Sequence, residues 1–441
     1  MADRGHPVRQ RAKHAQTWEE IPFENMVRAT RSGGQDVRAP HVPHNAPRES
    51  LRLCRLVRRP LGYTQNLMSD LINWANIRKQ FPVTEKLAYL NSAAAGPVSR
   101  ASQAAAAGYY EKMMNDGDVH WNRWLADREA IREKVARFIN AEPEEVAFTT
   151  NTSSGMNVIV DALEDRGEVI SSELEFPVTT LPWMHRRIPV HLLPAIDGEV
   201  TIDSVREAMT HQTGVVALSH VQFSNGFRVD PEALGTIKGR HALIINASQS
   251  LGAFEIDVKR TKIDALCATG HKWLLSGYGS GFVYLSRELL AQSLPRSIGW
   301  LSVENPFEMR NDEFRPRHDT AARVELGCPH FAGIFSLGAA IDLMNEIGAG
   351  NIQARVLELN RLLTSRLAES GWRVLSPIQN DVARSAETLV EVQSPAKVVQ
   401  HLFRRGVVVT EKPQGIRVAT HFFNHEDDLE RLIAGMNETR G

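Results

Sequence analysis

The segment Thr269-Gly270-His271-Lys272-Trp273 follows the apolar run Ala265–Ala268, whose length and composition are those of a buried strand. It places a lysine at the end of a strand, among small and aromatic residues. Burial in such a place lowers the pKa of a lysine, and the neutral amine can form a Schiff base with a carbonyl compound. A solvated lysine in an ordinary loop is the alternative that this segment leaves open.

Four other short apolar runs resemble Ala265–Ala268. Each is rich in Val, Ile or Ala and is followed by Gly, Asn, Ser or Thr; the runs are Val146–Thr149, Glu168–Ser171, Val215–Ser219 and Ala242–Ile245. The alternation of such strands with helix-like segments predicts an α/β protein with a mostly parallel sheet covered by helices. Because ligands bind beyond the carboxyl ends of such strands, functional residues are expected directly after these runs.

A Ser/Thr cluster, Thr149–Asn157, lies at the start of the predicted helix Met156–Leu163. Its hydroxyls and the free backbone N–H groups of a helix start can hold an anion, helped by the helix dipole. A phosphate suits such a site. An ordinary Ser/Thr N-cap without a ligand is the alternative.

A second polar cluster, Asn246–Gly252, follows the run Ala242–Ile245. Polar side chains at this place can hydrogen-bond a heteroaromatic ring, whereas a turn with Asx-type hydrogen bonds is the plainer interpretation. The glycines of Gly277–Gly281 are too closely spaced for a dinucleotide-binding fingerprint. They indicate instead a close approach of the backbone to a bulky group.

The composition narrows the class of protein. Hydrophobic residues make up 42% of the 441 residues and charged residues 23%, close to the average of globular proteins. No apolar run approaches the roughly 20 residues of a transmembrane helix, and a net charge of −1 gives no sign of a nucleic-acid or membrane surface. Three cysteines without a CxxC pair indicate neither a disulfide framework nor a zinc site. We therefore expect a cytoplasmic protein with no metal, nucleic-acid or membrane partner.

Four segments are predicted along the chain. Residues 1–67 contain twelve basic and six acidic residues, six prolines and no apolar periodicity, which predicts a basic, disordered extension. Residues 68–90 are interpreted as an N-terminal arm and residues 91–325 as a large domain. A smaller C-terminal domain is predicted over residues 326–441, with helices at Phe331–Ile347, Ile352–Ser370 and His425–Met436. The runs Val398–Arg405, Gly406–Val409 and Gly415–Ala419 indicate its α+β character.

Seven short motifs occur in a fixed order. They are Tyr89–Pro97, Glu175–Pro177, Ser219–Gln222, Gln249–Ala253, Gly270–Lys272, Glu325–Pro329 and Gly415–Val418. In this order they resemble the aminotransferase class V family, the branch of fold-type-I pyridoxal-phosphate (PLP) enzymes that includes cysteine desulfurases and isopenicillin N epimerases. The resemblance implies the fold-type-I PLP-dependent transferase fold from about residue 70 onward. It also implies pyridoxal 5'-phosphate as cofactor, an amino acid as substrate and a homodimer with the active site at its interface.

The resemblance implies a role for each matching residue. Lys272 matches the catalytic lysine that carries the cofactor as a Schiff base. The other cofactor contacts are implied as follows: Thr152, Ser153, Thr269 and His271 for the phosphate, Phe176 for the ring face, Asn246 for the ring nitrogen and Gln249 for the phenolic oxygen. Arg417 matches the arginine that holds the substrate carboxylate, which its planar fork suits. Asn91 lies in the loop at the substrate mouth.

Three positions depart from the family pattern. Asn246 stands where the family usually has an aspartate that keeps the pyridine nitrogen protonated, and a neutral amide can only hydrogen-bond there. Cys328 stands where a threonine often reaches the partner subunit's phosphate, so this contact is expected to be weaker. No cysteine follows Cys328, so the loop before Arg417 lacks the nucleophilic thiol of a desulfurase. Cys267 is expected to be a small buried apolar residue.

The sequence therefore predicts a PLP-dependent transferase- or lyase-type enzyme that acts at Cα or Cβ of an amino acid, as aminotransferase, epimerase or C–S lyase. A cysteine desulfurase is disfavoured by the missing thiol. A catalytically impaired PLP-fold protein that only binds cofactor or a partner is a third hypothesis, which Asn246 makes conceivable. The aromatic–basic cluster His120–Trp124 is interpreted as surface or interface packing, with a substrate-binding role as the alternative.

Overall fold

A computed structural model describes residues 72–440 of the chain. The predicted extension of residues 1–67 lies outside this range, as do the first residues of the predicted arm. Within residues 72–440, no helix combines the length and the apolar character that crossing a membrane requires.

The described residues form twelve strands in three sheets. The strands are β1 (Ala88–Tyr89), β2 (Val146–Thr149), β3 (Glu168–Ser172), β4 (Val190–Leu193), β5 (Thr213–Ser219), β6 (Ala242–Asn246), β7 (Ala265–Thr269), β8 (Gly281–Leu285), β9 (Glu387–Glu391), β10 (Val407–Val408), β11 (Thr410–Lys412) and β12 (Gly415–Ala419). All five apolar runs predicted as strands are present, as β2, β3, β5, β6 and β7.

The largest sheet has seven strands in the order β2-β8-β7-β6-β5-β3-β4. The strands from β4 across to β7 run parallel to one another. Only β8 is antiparallel to its neighbours, β2 and β7. The sheet is therefore mixed and mostly parallel, as predicted, and the carboxyl ends of β3, β5, β6 and β7 meet at one edge.

A smaller antiparallel sheet has the order β11-β12-β9, and β1 pairs in parallel with β10. Leu90 joins the buried cluster of Leu359, Leu402, Val418 and Leu432, so the start of the described chain packs against its C-terminal part. The α+β character predicted near the C-terminus is present. The predicted segment boundaries at residues 67, 90 and 325 stay predictions.

Twelve α-helices alternate with the strands of the described range. They are α1 (Trp74–Arg78), α2 (Arg100–Asp116), α3 (Trp121–Phe138), α4 (Thr152–Leu163), α5 (Leu181–His185), α6 (Ile202–Ala208), α7 (Pro231–Ile237), α8 (Arg287–Gln292), α9 (Phe331–Ile347), α10 (Ala349–Glu369), α11 (Pro395–Arg404) and α12 (Glu426–Asn437). Helices α2 and α3 pack on α9, while α4 packs on β7 and β8. The position of α4 on the sheet determines where its N-terminus meets the candidate site.

Candidate active site

Lys272 lies in the loop after β7, at the carboxyl end of the parallel strands. Its amine nitrogen is 5.7 Å from the centroid of the Phe176 ring. Burial lowers the pKa of Lys272 to about 8. The nearby Glu387 carboxylate opposes this lowering of the pKa, whereas Arg417 and Lys412 add to it. About one tenth of the amine is therefore neutral at pH 7, and this neutral form is the one that reacts with carbonyl compounds.

A cavity of about 190 Å³ lies beside Lys272. Its lining includes seven of the residues predicted to contact the cofactor, namely Thr152, Ser153, Phe176, Asn246, Gln249, His271 and Lys272. The other three predicted residues do not line it: Thr269 lies directly behind His271, and Asn91 and Arg417 belong to an adjoining cluster. The structure thus brings the three polar segments of the sequence to one place.

The N-terminus of α4 forms one end of the cavity. Asn151 caps this helix by accepting a hydrogen bond of 3.0 Å from the Ser154 backbone N–H. The Thr152 hydroxyl lies 2.6 Å from the hydroxyl of Ser248, on the turn after β6. Backbone N–H groups and hydroxyls at the start of a helix of 12 residues can hold an anion such as a phosphate.

His271 completes this end of the cavity. The Thr269 hydroxyl lies 2.8 Å from Nδ1 of His271, and the His271 ring stacks on Tyr278 with 4.4 Å between centroids. Burial lowers the pKa of His271 to about 4, and the charge of Lys272 adds to this effect. The imidazole is therefore neutral at pH 7. When Thr269 donates to Nδ1, the proton lies on Nε2, which can donate to an anion.

Asn246 is buried at the end of β6 and has two polar partners. Its Nδ2 donates to the Thr179 hydroxyl at 3.1 Å, and its Oδ1 accepts from the Ser248 backbone N–H at 3.1 Å. The amide carries a second N–H, and its oxygen a second lone pair. It can therefore still hydrogen-bond a ring nitrogen in the cavity.

Behind Asn246 lies a buried carboxylate to which the sequence analysis assigns no role. Glu175 accepts hydrogen bonds from the Ser219 backbone N–H at 2.5 Å, the Ser219 hydroxyl at 2.5 Å and Gln222 Nε2 at 2.7 Å. Burial raises the pKa of Glu175, and these donors together with Thr179 oppose the rise in pKa. Glu175 and Ser219–Gln222 belong to two of the seven motifs, and the structure joins them in one hydrogen-bond network.

Gln249 is held at both ends of its amide. Its Oε1 accepts from the Trp273 indole N–H at 2.9 Å, and its Nε2 donates to the Ala93 carbonyl at 3.0 Å. Gly252 has a φ of +106°, and a Cβ at this position would overlap the Trp273 carbonyl. A glycine is therefore needed where the turn after β6 meets the Lys272 loop. The hydrogen bond from Trp273 thus holds Gln249 beside the Lys272 loop.

A charged cluster adjoins the cavity on the small sheet. Arg417 is buried on β12, and its Nη1 lies 3.4 Å from Oε2 of Glu387 on β9. Lys412 on β11 donates to the Phe223 carbonyl at 2.9 Å. Asn91 accepts a hydrogen bond from the Thr410 hydroxyl. Glu387 and Lys412 are not among the residues predicted from the sequence. The feature that could have indicated Glu387 is its charge in the otherwise uncharged run Ala386–Val390.

The cysteines of the described range lie apart from this cavity. Cys267 is fully buried among apolar residues, as predicted, and burial raises the pKa of its thiol. Cys328 is exposed and lines a separate cavity of about 410 Å³ next to β2 and the N-terminus of α9. Residues 72–440 also hold no cluster of three or more His, Cys, Asp or Glu side chains that could bind a metal.

The aromatic–basic cluster His120–Trp124 packs between helices. Trp124 is buried against Tyr109 on α2, with 4.9 Å between ring centroids, and Trp121 meets Phe331 on α9 at 5.4 Å. None of the cluster lines the cavity beside Lys272. These contacts agree with the interpretation of the cluster as packing and give no sign of the alternative, a substrate-binding role.

A mostly parallel sheet with a buried lysine after a strand, facing a helix N-terminus, is a typical PLP-dependent arrangement. Residues 88–432 match the aminotransferase class-V family, and the chain belongs to that family. The chain is 27% identical to the uncharacterized aminotransferase YcbU of Bacillus subtilis, over 81% of this chain and 95% of YcbU. It is 26% identical to isopenicillin N epimerase of Amycolatopsis lactamdurans, over 83% and 98% of the two chains. It is 29% identical to a probable cysteine desulfurase of Methanothermobacter thermautotrophicus, again over 83% and 98%.

Solved structures agree with the fold. The apo structure of a cysteine desulfurase from Thermococcus onnurineus has a TM-score of 0.76 at 24% identity, covering 83% of this chain and 97% of that one. The cystine C–S lyase C-DES has a TM-score of 0.75 at 19% identity, covering 81% and 99%. At such identities the likeness shows the fold alone. Fold and family together define a class V PLP-dependent enzyme.

Proposed function

We propose that this protein binds PLP covalently through Lys272 and acts at Cα or Cβ of an amino acid, as an aminotransferase, epimerase or C–S lyase. The observation that carries the proposal is a buried lysine with a lowered pKa in a cavity that also contains a helix N-terminus. These two features match the two ends of PLP, a reactive aldehyde and a phosphate that is held as an anion. Asn246 and Gln249 add hydrogen-bonding groups for the ring between them.

The residues present fit this cofactor. Thr152, Ser153 and the start of α4 provide donors for the phosphate, and His271, backed by Thr269, provides one more. The buried Asn246 amide keeps one N–H and one lone pair for the ring nitrogen, and Phe176 lies on the lining where it can cover the ring face. When bound, PLP supplies an electron sink for the bonds at Cα of an attached amino acid.

Two side chains of the protein then provide proton transfer and substrate binding. Nζ of Lys272 has a pKa of about 8, so it can accept a proton from Cα and return it near neutral pH. Arg417 offers a guanidinium for the substrate carboxylate, and its Nε has no hydrogen-bond partner within residues 72–440. Such an anchor fixes which bond at Cα stands perpendicular to the ring plane.

The absence of a thiol bears on the type of reaction. A cysteine desulfurase needs a cysteine to accept sulfur from its substrate, and no cysteine follows Cys328 in the sequence. Cys267 is enclosed in the core and does not reach the cavity. The proposal therefore favours transamination, epimerisation or C–S cleavage over desulfuration through an enzyme persulfide, although several relatives are named probable cysteine desulfurases.

We extend the proposal to a homodimer. Tyr110, Met114 and Val119, at the end of α2 and just after it, are exposed apolar side chains on one segment. Exposed apolar clusters of this kind are typical of interaction surfaces. Light scattering of the purified chain is expected to give twice the monomer mass, and a monomeric mass would contradict this extension.

The proposed function is tested with PLP-loaded protein and a panel of amino acids. Inversion of configuration at Cα indicates an epimerase. Formation of a 2-oxo acid without release of ammonia indicates an aminotransferase, and release of sulfide or a thiol together with ammonia and a 2-oxo acid indicates a C–S lyase. A spectral change with at least one amino acid and one of these products would support an enzyme. PLP binding without any product across the panel would favour the impaired, binding-only alternative.

A further inference from the structure

Glu387 is a buried carboxylate whose hydrogen-bonding capacity is unused. Glu387 is 2% exposed to solvent, and neither of its oxygens, Oε1 and Oε2, has a hydrogen-bond partner within residues 72–440. Buried polar groups are nearly always hydrogen-bonded, and an ionised carboxylate is among the most costly groups to bury without partners. Glu387 therefore needs a specific explanation.

The register of the small sheet places Glu387 among positive charges. Glu387 pairs with Ala419 across β9 and β12, so it shares a face with Arg417, two residues away on β12. Lys412 on β11 pairs with Gly415 and lies on this face too. The sheet thus carries one acidic and two basic side chains on a single face.

The groups packed over this face complete the charge environment. From the loop after β7, Lys272 acts on Glu387 as a third cation. From the loop after β5, the backbone of Gly226 packs against Glu387, and its neighbours Phe223, Ser224 and Asn225 are uncharged. Burial raises the pKa of Glu387, while Arg417, Lys272 and Lys412 oppose the rise in pKa.

The Glu387–Arg417 pair is incomplete on both sides. The closest nitrogen–oxygen distance is 3.4 Å, and neither the Glu387 oxygens nor Arg417 Nε are hydrogen-bonded within the described part of the chain. A buried pair that is built only for stability has well-aligned hydrogen bonds. This pair instead leaves the guanidinium able to take a second anion at the cost of its contact with Glu387.

We propose that Glu387 is the internal counter-ion of Arg417 and takes up one proton from solvent when a carboxylate binds to Arg417. The inference rests on the proposed function in one respect, that Arg417 binds the carboxylate of the substrate. An incoming carboxylate takes the Arg417 guanidinium away from Glu387 and leaves two carboxylates close together in a buried site. Their repulsion adds to the effect of burial and favours the protonated form of Glu387 against the opposing charges of Lys272 and Lys412. The proton binds to a Glu387 carboxylate oxygen, and the bound ligand keeps its negative charge.

The proposal is tested by the pH dependence of carboxylate binding to the full chain. Propionate, a carboxylate without an amine, is titrated by ¹³C NMR between pH 6 and 9 into wild type and Glu387→Gln. Because the Gln side chain has no proton to gain, the ratio of the wild-type Kd to the variant Kd is expected to rise with pH. Its limiting slope is about tenfold per pH unit. Because Glu387 also raises the pKa of Lys272 and Lys412, both Kd values are measured again with Lys272→Ala and Lys412→Ala present in each protein, which removes these two titrations.

Two controls separate the possible failures. Glu391→Gln, an exposed residue of β9 that pairs with Arg373, is expected to bind propionate as wild type does at each pH. A Kd ratio that stays constant with pH would overturn the proposal for Glu387. If Arg417→Ala bound propionate as tightly as wild type, the carboxylate anchor of the proposed function would fail instead.

A measurement on wild type alone covers the case in which Glu387→Gln does not fold. Calorimetry of propionate binding at pH 7 in two buffers of different ionisation enthalpy gives the number of protons taken up. With pKa values of about 8, Lys272 and Lys412 are already about nine-tenths protonated at this pH. Uptake approaching one proton supports Glu387 as the acceptor, and uptake near zero contradicts it.

Discussion

Asn246 Nδ2 donates a hydrogen bond of 3.1 Å to the Thr179 hydroxyl, while the other end of the amide accepts from the Ser248 backbone N–H. Because a backbone N–H can only donate, this contact fixes the amide oxygen toward Ser248. Thr179 in turn acts as a donor that lowers the pKa of Glu175. A neutral amide, linked through a hydroxyl to a buried carboxylate, thus stands where the family usually has an aspartate.

Asn246→Asp is expected to change the bound cofactor rather than the fold, since both side chains have the same shape. A carboxylate beside the ring nitrogen favours the protonated pyridine, so the pH at which the bound PLP changes its absorbance should shift. Half-transamination of amino acids should become faster. The spectrum is recorded from pH 6 to 9, with the exposed Asn437→Asp as control. An unchanged spectrum, pH dependence and rate would remove Asn246 from the ring.

Arg417→Ala is expected to leave PLP bound and to weaken amino-acid binding. Loss of a charged hydrogen-bond partner typically costs about 1.5–3 kcal/mol, roughly ten- to a hundredfold in Kd. The measurement is a spectral titration of PLP-loaded protein, with the exposed Arg373→Ala as control. Since the substitution leaves Glu387 without its partner, the double variant with Glu387→Gln serves as a second form. Amino-acid affinity equal to wild type in both forms would argue against a role of Arg417.

The rate of PLP capture by cofactor-free protein should follow the neutral fraction of Lys272. The pKa of Lys272 is lowered to about 8, so the reactive neutral amine increases about tenfold per unit below this pH and levels off above it. Glu387→Gln removes a carboxylate that favours the charged amine, so the inflection should move to lower pH. Stopped-flow absorbance gives the rates, and Glu391→Gln is the control. An inflection near pH 10 would show that Lys272 is solvated.

Replacing each of two helical glycines by alanine is expected to change the free energy of unfolding in opposite directions. A Cβ at Gly155 on α4 would lie 3.0 Å from the Cβ of Cys267, whereas a Cβ at Gly108 on α2 would meet no atom within 4 Å. Gly155→Ala is expected to destabilise by about 1–3 kcal/mol, because α4 must move away from the sheet. Gly108→Ala is expected to stabilise by about 0.5–1 kcal/mol. Urea unfolding of both variants tests the pair, and equal effects would contradict the packing of α4.

The sequence predicts those strands whose burial is complete. β5, β6 and β7 are buried at every residue, and each contains an unbroken apolar run of four residues. β4 is at the edge of the sheet with two exposed residues, and β8 begins inside the glycine-rich segment, so neither gives a clear pattern. Helix α4 begins at Thr152, before the predicted start at Met156. The apolar pattern does not show this start, because it depends on a hydrogen bond of the polar Asn151 side chain.

The residues of the candidate site also fall into those that the sequence predicts and those that it does not. Residues directly after strands, such as Asn246 and Lys272, can be inferred from the sequence because the sheet edge is where ligands bind. Glu387, Lys412 and Thr179 come from other segments and reach the site only through the register of the small sheet or the turn after β3. These three residues come near Lys272 only because segments far apart in the sequence pack together, and local sequence patterns carry no information about such packing.

Reduction of PLP-loaded protein with sodium borohydride shows whether Lys272 holds the cofactor, because it makes the link between lysine and cofactor permanent. Peptide mapping then identifies the labelled residue. Lys412 is the matched competitor, since its pKa is also lowered to about 8 by burial and by Arg417, and it lies in the adjoining charged cluster. We expect the label on Lys272, and we expect it to be lost in Lys272→Ala but not in Lys412→Ala. Label on Lys412, or no label after supply of PLP, would contradict it.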